Sequence, residues 1–138
     1  MKTKHPKGLP FLFFTEMWER FGYYLILGIF VLYVIEPAGI KGGLGLPDKT
    51  ADDIFGTYIA LTYLTPFIGG FLADRVLGYI KSIYLGGILM AAGYIGMGVF
   101  KDLPLFYSSL ALIIIGNGFF KPTISTLLGN LYSEEPYK

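Results

Sequence analysis

The chain has 138 residues, of which 54% are hydrophobic, 17% aromatic and only 15% charged, and its formal net charge is +1. Soluble domains carry about 25% charged residues, and a small fold cannot hide so much additional apolar surface from water. The balance indicates a membrane protein, and the absence of a basic stripe disfavours a nucleic-acid partner. With no cysteine and a single histidine, His5, the sequence predicts no disulfide, no cofactor and no metal centre.

Four apolar stretches are long enough to cross a lipid bilayer, which takes about 20 residues of helix. They lie at about residues 11–35, 54–72, 80–100 and 105–131, separated by segments rich in glycine and proline. We therefore predict an all-α, multi-pass membrane fold with four transmembrane helices and antiparallel neighbours. A cleaved signal peptide is the alternative for the first stretch, but its two glutamates and one arginine are unusual in such a peptide.

Lysine and arginine are unevenly distributed among the segments that join these stretches. The N-terminal tail, the second connection and the C-terminal tail hold six of them, whereas the other two connections hold three. Because short cytoplasmic segments are enriched in these residues, we expect both termini to be cytoplasmic. The expected location is the cell membrane, plasma or inner.

The first stretch carries charged residues at a depth where they are costly, roughly 2.5–3.5 kcal/mol each. Glu16, Glu19 and Arg20 fall about 8–14 Å beyond its cytoplasmic boundary. The helical period places them on one face with Tyr23 and Tyr24. One interpretation is an interfacial patch whose charges extend to water beside aromatic anchors. The other is an inward-facing polar site, which we favour because short glutamates reach water poorly.

The fourth stretch contains a single charge, Lys121, at a depth similar to that of Glu19. An unpaired buried charge is strongly penalised, so we expect Lys121 to pair with Glu16 or Glu19. Asn117 lies one helical turn away on the same face. The alternative is a lysine that reaches water from a lipid-facing position. Three glycines of this stretch are predicted to allow close helix packing: Gly116, Gly118 and Gly129.

Together these residue types suit a small zwitterion and a proton. Arg20 offers a fork for a carboxylate and Lys121 a point charge, while a carboxylate near a lysine can exchange a proton between paired and unpaired states. Asn117 is also expected to bind the substrate. Hydrogen bonds and aromatic walls are expected from four phenols: Tyr23, Tyr24, Tyr33 and Tyr63.

Three segments at these positions resemble a known family. FFTEMWERFGYY resembles the first-helix signature of the proton-dependent oligopeptide transporters, a family of the major facilitator superfamily, and GNGFFKPTISTLLGNLY is similar to the family's fourth-helix segment around Lys121. YLTPFIGGFLADRVLGYIKSI resembles the superfamily's motif between the second and third helices. It contains Gly70, Asp74, Arg75 and Gly78.

The resemblance implies proton-coupled symport of di- and tripeptides. By this likeness Glu16, Glu19 and Lys121 belong to proton coupling. The positions matching the peptide-contacting and cavity-lining residues of the family are Arg20, Tyr23, Tyr24, Tyr33, Tyr63 and Lys121. Asp74 and Arg75, with Gly70 and Gly78, would form a conformational latch, and the alternative is a helix cap with positive-inside charge. Where animal members carry a histidine in the second helix this chain has Gly56, so coupling is expected to depend on carboxylates.

The family has twelve or more helices, and substrate binds between two halves that move against each other. We therefore expect this chain to be an N-terminal fragment of a transporter whose partners are a small peptide, protons, the lipid bilayer and the missing helices. The alternative is a small four-helix membrane scaffold or a nonfunctional truncated remnant. An intramembrane enzyme is disfavoured, because Ser108, Ser109 and Ser125 have no histidine or paired acid on the same segment.

Overall fold

The computed structural model describes residues 5–39 and 42–134. In that part of the chain four long α-helices follow one another: α1 (Leu9–Ile35), α2 (Asp48–Leu72), α3 (Tyr79–Val99) and α4 (Leu103–Glu134). All four are long and apolar enough to cross a membrane. The predicted all-α fold with four transmembrane helices is confirmed, whereas the positions at which the bilayer begins and ends along each helix stay a prediction.

Helix α4 lies at the centre of the bundle, with α2 and α3 packed along it and α1 making fewer contacts. Its buried side chains meet α1 and α2 in an aromatic core around Phe30. The Phe30 ring stacks on Tyr58 at 5.9 Å between centroids and lies 5.9 Å from the ring of Phe106. This core fixes α1 against α2 and α4 in the half of the bundle where α1 ends.

Glycines bring α2 and α3 into backbone contact with α4. A Cβ at Gly93 would lie 2.7 Å from the carbonyl oxygen of Ser109, and one at Gly86 would lie 2.7 Å from that of Gly116. On the other side Gly69 packs directly on the carbonyl of Gly118. Close packing at Gly116 and Gly118 is therefore confirmed.

The described part of the chain shows no such contact at Gly129, where an added Cβ would meet no atom within 4 Å. Gly118 also illustrates why the contact with α2 is so close. Pro122 has no N–H to donate to the carbonyl four residues earlier, and that carbonyl belongs to Gly118. Gly69 of α2 fills the space beside this carbonyl.

The connection between α2 and α3 is shorter than the breaker residues indicate. A π-helical segment, Ala73–Leu77, continues α2. Its last hydrogen bond runs from the backbone N–H of Gly78 to the carbonyl oxygen of Ala73, at 2.9 Å. Gly78 has φ +78°, a conformation that only glycine adopts without strain. The chain therefore reverses at this one residue, and α3 begins immediately after it.

The beginning of α1 and the end of α4 lie at the same end of the bundle. Gly8 lies against Leu131, and the His5 ring nitrogen Nδ1 is 3.1 Å from the hydroxyl of Tyr132. Four antiparallel helices bring the start of α1 and the end of α4 together in this way. The start of α1 and the end of α4 consequently face the same side of a membrane that the four helices cross, and the cytoplasmic assignment of that side stays a prediction.

Candidate functional site

The contact between α1 and α4 contains a buried carboxylate. Glu19 points from α1 into the bundle, with its side chain only 6% exposed. The side-chain amide of Asn117 on α4 donates a hydrogen bond from Nδ2 to Glu19 Oε1 at 2.8 Å. Asn117 is itself buried. The interpretation of this region as an interfacial patch that extends to water therefore does not fit Glu19.

The other two charges of the α1 motif lie on the open face of the helix. Arg20 donates from its terminal nitrogen to Glu16 Oε1 at 3.2 Å, and both side chains are nearly half exposed. The Nε atom of Arg20 lies 3.9 Å from Glu19 Oε2, which is beyond hydrogen-bond distance. Arg20 therefore joins a buried carboxylate to an exposed one.

Lys121 does not form the predicted ion pair in the structure. In the described part of the chain no carboxylate oxygen lies within 4.0 Å of its ammonium nitrogen. The nitrogen lies instead 5.0 Å from the ring centroid of Tyr63 and 5.9 Å from that of Tyr23. Aromatic faces attract a cation, and Glu19 Oε1 accepts a hydrogen bond from Asn117 instead.

The remaining predicted binding residues divide between two places. Tyr23, Tyr63 and Lys121 form one cluster, and Tyr24 is exposed and close enough to Arg20 to interact with it electrostatically. Tyr33 is elsewhere, because it lies further along α1 with its ring 6.1 Å from that of Phe106. Ten residues of helix separate it from Tyr23, about 15 Å, so the structure does not bring Tyr33 to the cluster.

The predicted latch residues lie near the reversal between α2 and α3. Asp74 and Arg75 are exposed on the π-helical segment, and the guanidinium of Arg75 stands 4.9 Å from the ring centroid of Phe71. Neither makes an ion pair with any residue that the structure describes. Gly70 faces the ring of Pro122 at the crossing of α2 and α4. The latch function stays a prediction.

Two groups near Glu19 were not predicted from the sequence. The hydroxyl of Tyr94 on α3 lies against Gly22, within one helical turn of Glu19, and Tyr58 on α2 also interacts electrostatically with that carboxyl. A phenol within an apolar stretch of helix is the signal that the sequence offers. Nothing in the pattern of α3 shows which of its tyrosines faces inward.

The arrangement has two chemically different parts. The first is a buried carboxyl with an amide partner, which can bind and release a proton within a low-dielectric contact. The second is an open face that presents Arg20, Glu16 and Lys121 with aromatic side chains, and these charges of both signs suit a ligand that carries both. Arg20 lies between the two parts, with one nitrogen 3.2 Å from Glu16 and another 3.9 Å from Glu19.

Comparison with known proteins identifies the class to which this fold belongs. Residues 19–136 match the Major Facilitator Superfamily, so the chain belongs to that superfamily of membrane transporters. Within it, the resemblance to the proton-dependent oligopeptide transporters is confirmed by individual relatives. The chain is 46% identical over 132 residues to a di-/tripeptide transporter of Lactococcus lactis, a match covering 94% of this chain and 26% of that protein.

Solved structures agree with this assignment. The chain superposes on the crystal structure of the peptide transporter POT in complex with sulfate with a TM-score of 0.91 and 42% identity, covering 100% of this chain and 27% of that one. A POT family transporter in complex with a thioalcohol-conjugated peptide gives a TM-score of 0.90 at 38% identity, over 99% of this chain and 28% of that one. The chain thus spans about a quarter of the length of the proteins that it matches.

Proposed function

We propose that this chain is the N-terminal part of a proton-coupled symporter of di- and tripeptides in the cell membrane, with its N-terminus in the cytoplasm. The observation that carries the proposal is the buried Glu19–Asn117 contact, joined through Arg20 to an open face that also carries Lys121. Relatives of this chain are transporters of di- and tripeptides, and one solved relative holds a conjugated peptide.

Glu19 is the proposed proton site. A buried carboxyl changes the charge of its surroundings when it binds a proton, and intramembrane ionisable residues are functional candidates by default. Lys121 and Arg20 are electrostatic neighbours of Glu19. Protonation of Glu19 therefore removes a negative charge that competes with a peptide carboxylate for these two cations, which couples proton binding to peptide binding.

The open face is the proposed half of the peptide site. Arg20 and Lys121 are suited to the C-terminal carboxylate of a peptide, and Glu16 to its N-terminal ammonium. Tyr23, Tyr24 and Tyr63 supply aromatic surface beside these charges. The other half of the site belongs to helices outside this chain, since alternating access requires two bundles that move around a central site.

The experiment requires a complete transporter that carries these residues. A suitable one replaces the matching N-terminal quarter of the Lactococcus lactis transporter with this chain, and it is reconstituted into proteoliposomes. We expect uptake of a radiolabelled dipeptide to rise when the outside is made acidic and to collapse when a protonophore is added. The unmodified Lactococcus lactis protein is the positive control.

A correctly folded and inserted chimera that accumulates no dipeptide under a proton gradient would contradict the proposal. A scaffold function for this segment would then gain support. Uptake that is insensitive to the protonophore would contradict proton coupling alone.

A further inference from the structure

The amide of Asn117 is only half satisfied in its contact with Glu19. Its nitrogen donates to Glu19 Oε1 at 2.8 Å, whereas its oxygen, Oδ1, is buried and accepts no hydrogen bond from any group in the described part of the chain. Leaving a buried acceptor unpaired costs about 1–3 kcal/mol. An acceptor that is buried and unpaired in one state of the protein is expected to accept a hydrogen bond in another.

Protonation of Glu19 supplies the missing donor. An ionised carboxylate can only accept hydrogen bonds, whereas a protonated carboxyl has one O–H donor and one carbonyl acceptor. A carboxamide presents the complementary pair, an N–H donor and a carbonyl acceptor. The two groups can therefore form two parallel hydrogen bonds when Glu19 is neutral, and one when it is charged.

The other groups that face Glu19 do not fill this role. From its own helix come Arg20, whose Nε is 3.9 Å from Glu19 Oε2, and Glu16, which holds the terminal nitrogen of Arg20 at 3.2 Å. From the neighbouring helices come Tyr58 of α2, Tyr94 of α3 and Lys121 of α4, each interacting with Glu19 electrostatically. Lys121 is directed at aromatic rings instead.

We propose that Asn117 is a positioning residue whose hydrogen bonds change with the protonation of Glu19. Its Nδ2 group donates a hydrogen bond to the carboxylate. When a proton has bound to Oε2, its Oδ1 atom also accepts a hydrogen bond from the new O–H group. No covalent bond changes other than the new O–H of Glu19, and the amide rotates within its pocket. The contact between α1 and α4 thus persists in both states. This inference rests on the proposed proton function of Glu19. It gives Asn117 a contact with Glu19 inside the bundle in place of the substrate contact expected from the sequence.

Infrared difference spectroscopy of the chimera between high and low pH tests the proposal without requiring transport. We expect a protonated-carboxyl band that is absent in Glu19→Gln, which assigns it to Glu19. A carboxyl that is hydrogen-bonded to an amide absorbs at lower frequency than an isolated one. The band is therefore expected to move to higher frequency in Asn117→Leu and to stay unchanged in the control Asn130→Leu, which alters an exposed asparagine on the same helix.

A second measurement needs no change at Asn117, in case that variant does not fold. Asparagine labelled with ¹³C at the side-chain carbonyl is expected to give a label-sensitive band that responds to pH in the parent chimera and is lost in Glu19→Gln. A Glu19 band with the same frequency in Asn117→Leu, or no asparagine band that depends on Glu19, would overturn the proposal.

The functional consequence is measured separately. Asn117→Leu is expected to reduce proton-driven dipeptide uptake about tenfold, the equivalent of one lost buried hydrogen bond, while gradient-independent exchange is kept. Absence of dipeptide uptake by the parent chimera would contradict the proposed function and leave the infrared test intact, so the two failures are distinguishable.

Discussion

Helix α4 makes two contacts of opposite chemistry. Towards α2 and α3 it presents glycines that allow backbone to touch backbone, as at Gly116 and Gly118. Towards α1 it presents a buried amide on a buried carboxylate, with an exposed ion pair beside it. The glycine contacts leave no room for rearrangement, whereas the α1 contact is polar and can exist in two protonation states. The difference indicates that α2, α3 and α4 form the rigid part of the bundle and that the chemistry lies where α1 meets it.

The glycine contacts are expected to give the largest effect on stability. Gly93→Leu would drive a side chain into the backbone of Ser109 and into Ile113, and overpacking of this kind costs about 1–3 kcal/mol or more. We expect a large fall in the thermal unfolding temperature of the chimera in detergent, measured by fluorescence-detected size exclusion after heating. The matched control is Gly98→Leu on the same helix, where an added Cβ meets no atom. Equal effects at the two positions would contradict the close contact.

Lys121 is expected to give the next largest effect, this time on binding. Loss of a partly desolvated charge that meets a substrate carboxylate costs about 2 kcal/mol or more, so Lys121→Ala should weaken dipeptide affinity at least about tenfold. The measurement is a dipeptide titration of the chimera by isothermal calorimetry. Lys49→Ala, which removes an exposed lysine at the start of α2, serves as the control. Unchanged affinity in Lys121→Ala would remove the lysine from the proposed site.

The ring of Tyr63 should have a smaller effect that depends on the replacement. Because the Lys121 ammonium lies 5.0 Å from this ring, Tyr63→Phe keeps the cation–π contact and Tyr63→Leu removes it. A contact of this kind contributes about 0.5–2 kcal/mol. We expect Tyr63→Leu to weaken dipeptide binding several-fold more than Tyr63→Phe in the same titration. Equal losses in the two variants would assign the effect to the hydroxyl group rather than the ring.

The exposed ion pair on α1 should have the smallest effect on stability. Glu16 and Arg20 are both nearly half exposed, and pairs of this kind contribute less than about 1 kcal/mol. Glu16→Gln is therefore expected to shift the unfolding temperature of the chimera by little more than the scatter of the measurement. A shift comparable to that of Gly93→Leu would show that the pair is part of the rigid bundle, which would contradict the distinction between the two contacts.

The helices were predictable because a membrane span needs about 20 apolar residues, and the sequence provides four such stretches. The inward direction of Glu19 was predictable too, since a short glutamate at that depth reaches water poorly. The hydrogen-bond partner of Glu19 was not predictable. Lys121 and Asn117 share a face of α4, and the choice between them depends on the rotation of α1 against α4, which no local pattern encodes.

The outcomes at two other positions have similarly specific causes, and the binding role of Tyr33 stays a prediction. Gly129 shares residue type with the packing glycines, but an added Cβ there would meet no atom within 4 Å in the described part of the chain. Tyr33 shares residue type with the phenols of the cluster, but its position along α1 places it beside Phe106. The sequence does not give the distances from these two residues to other helices, because those distances depend on how the bundle packs.

The most direct test of the account compares two uptake measurements in Glu19→Gln, a change that keeps the size of the side chain and removes its charge. If the buried α1–α4 contact carries the proton and the open face carries the peptide, dipeptide uptake driven by a proton gradient should fall strongly, while exchange of dipeptide without a gradient should persist. Equal loss of both activities would contradict the account, because it would place Glu19 in peptide binding or in folding rather than in proton coupling.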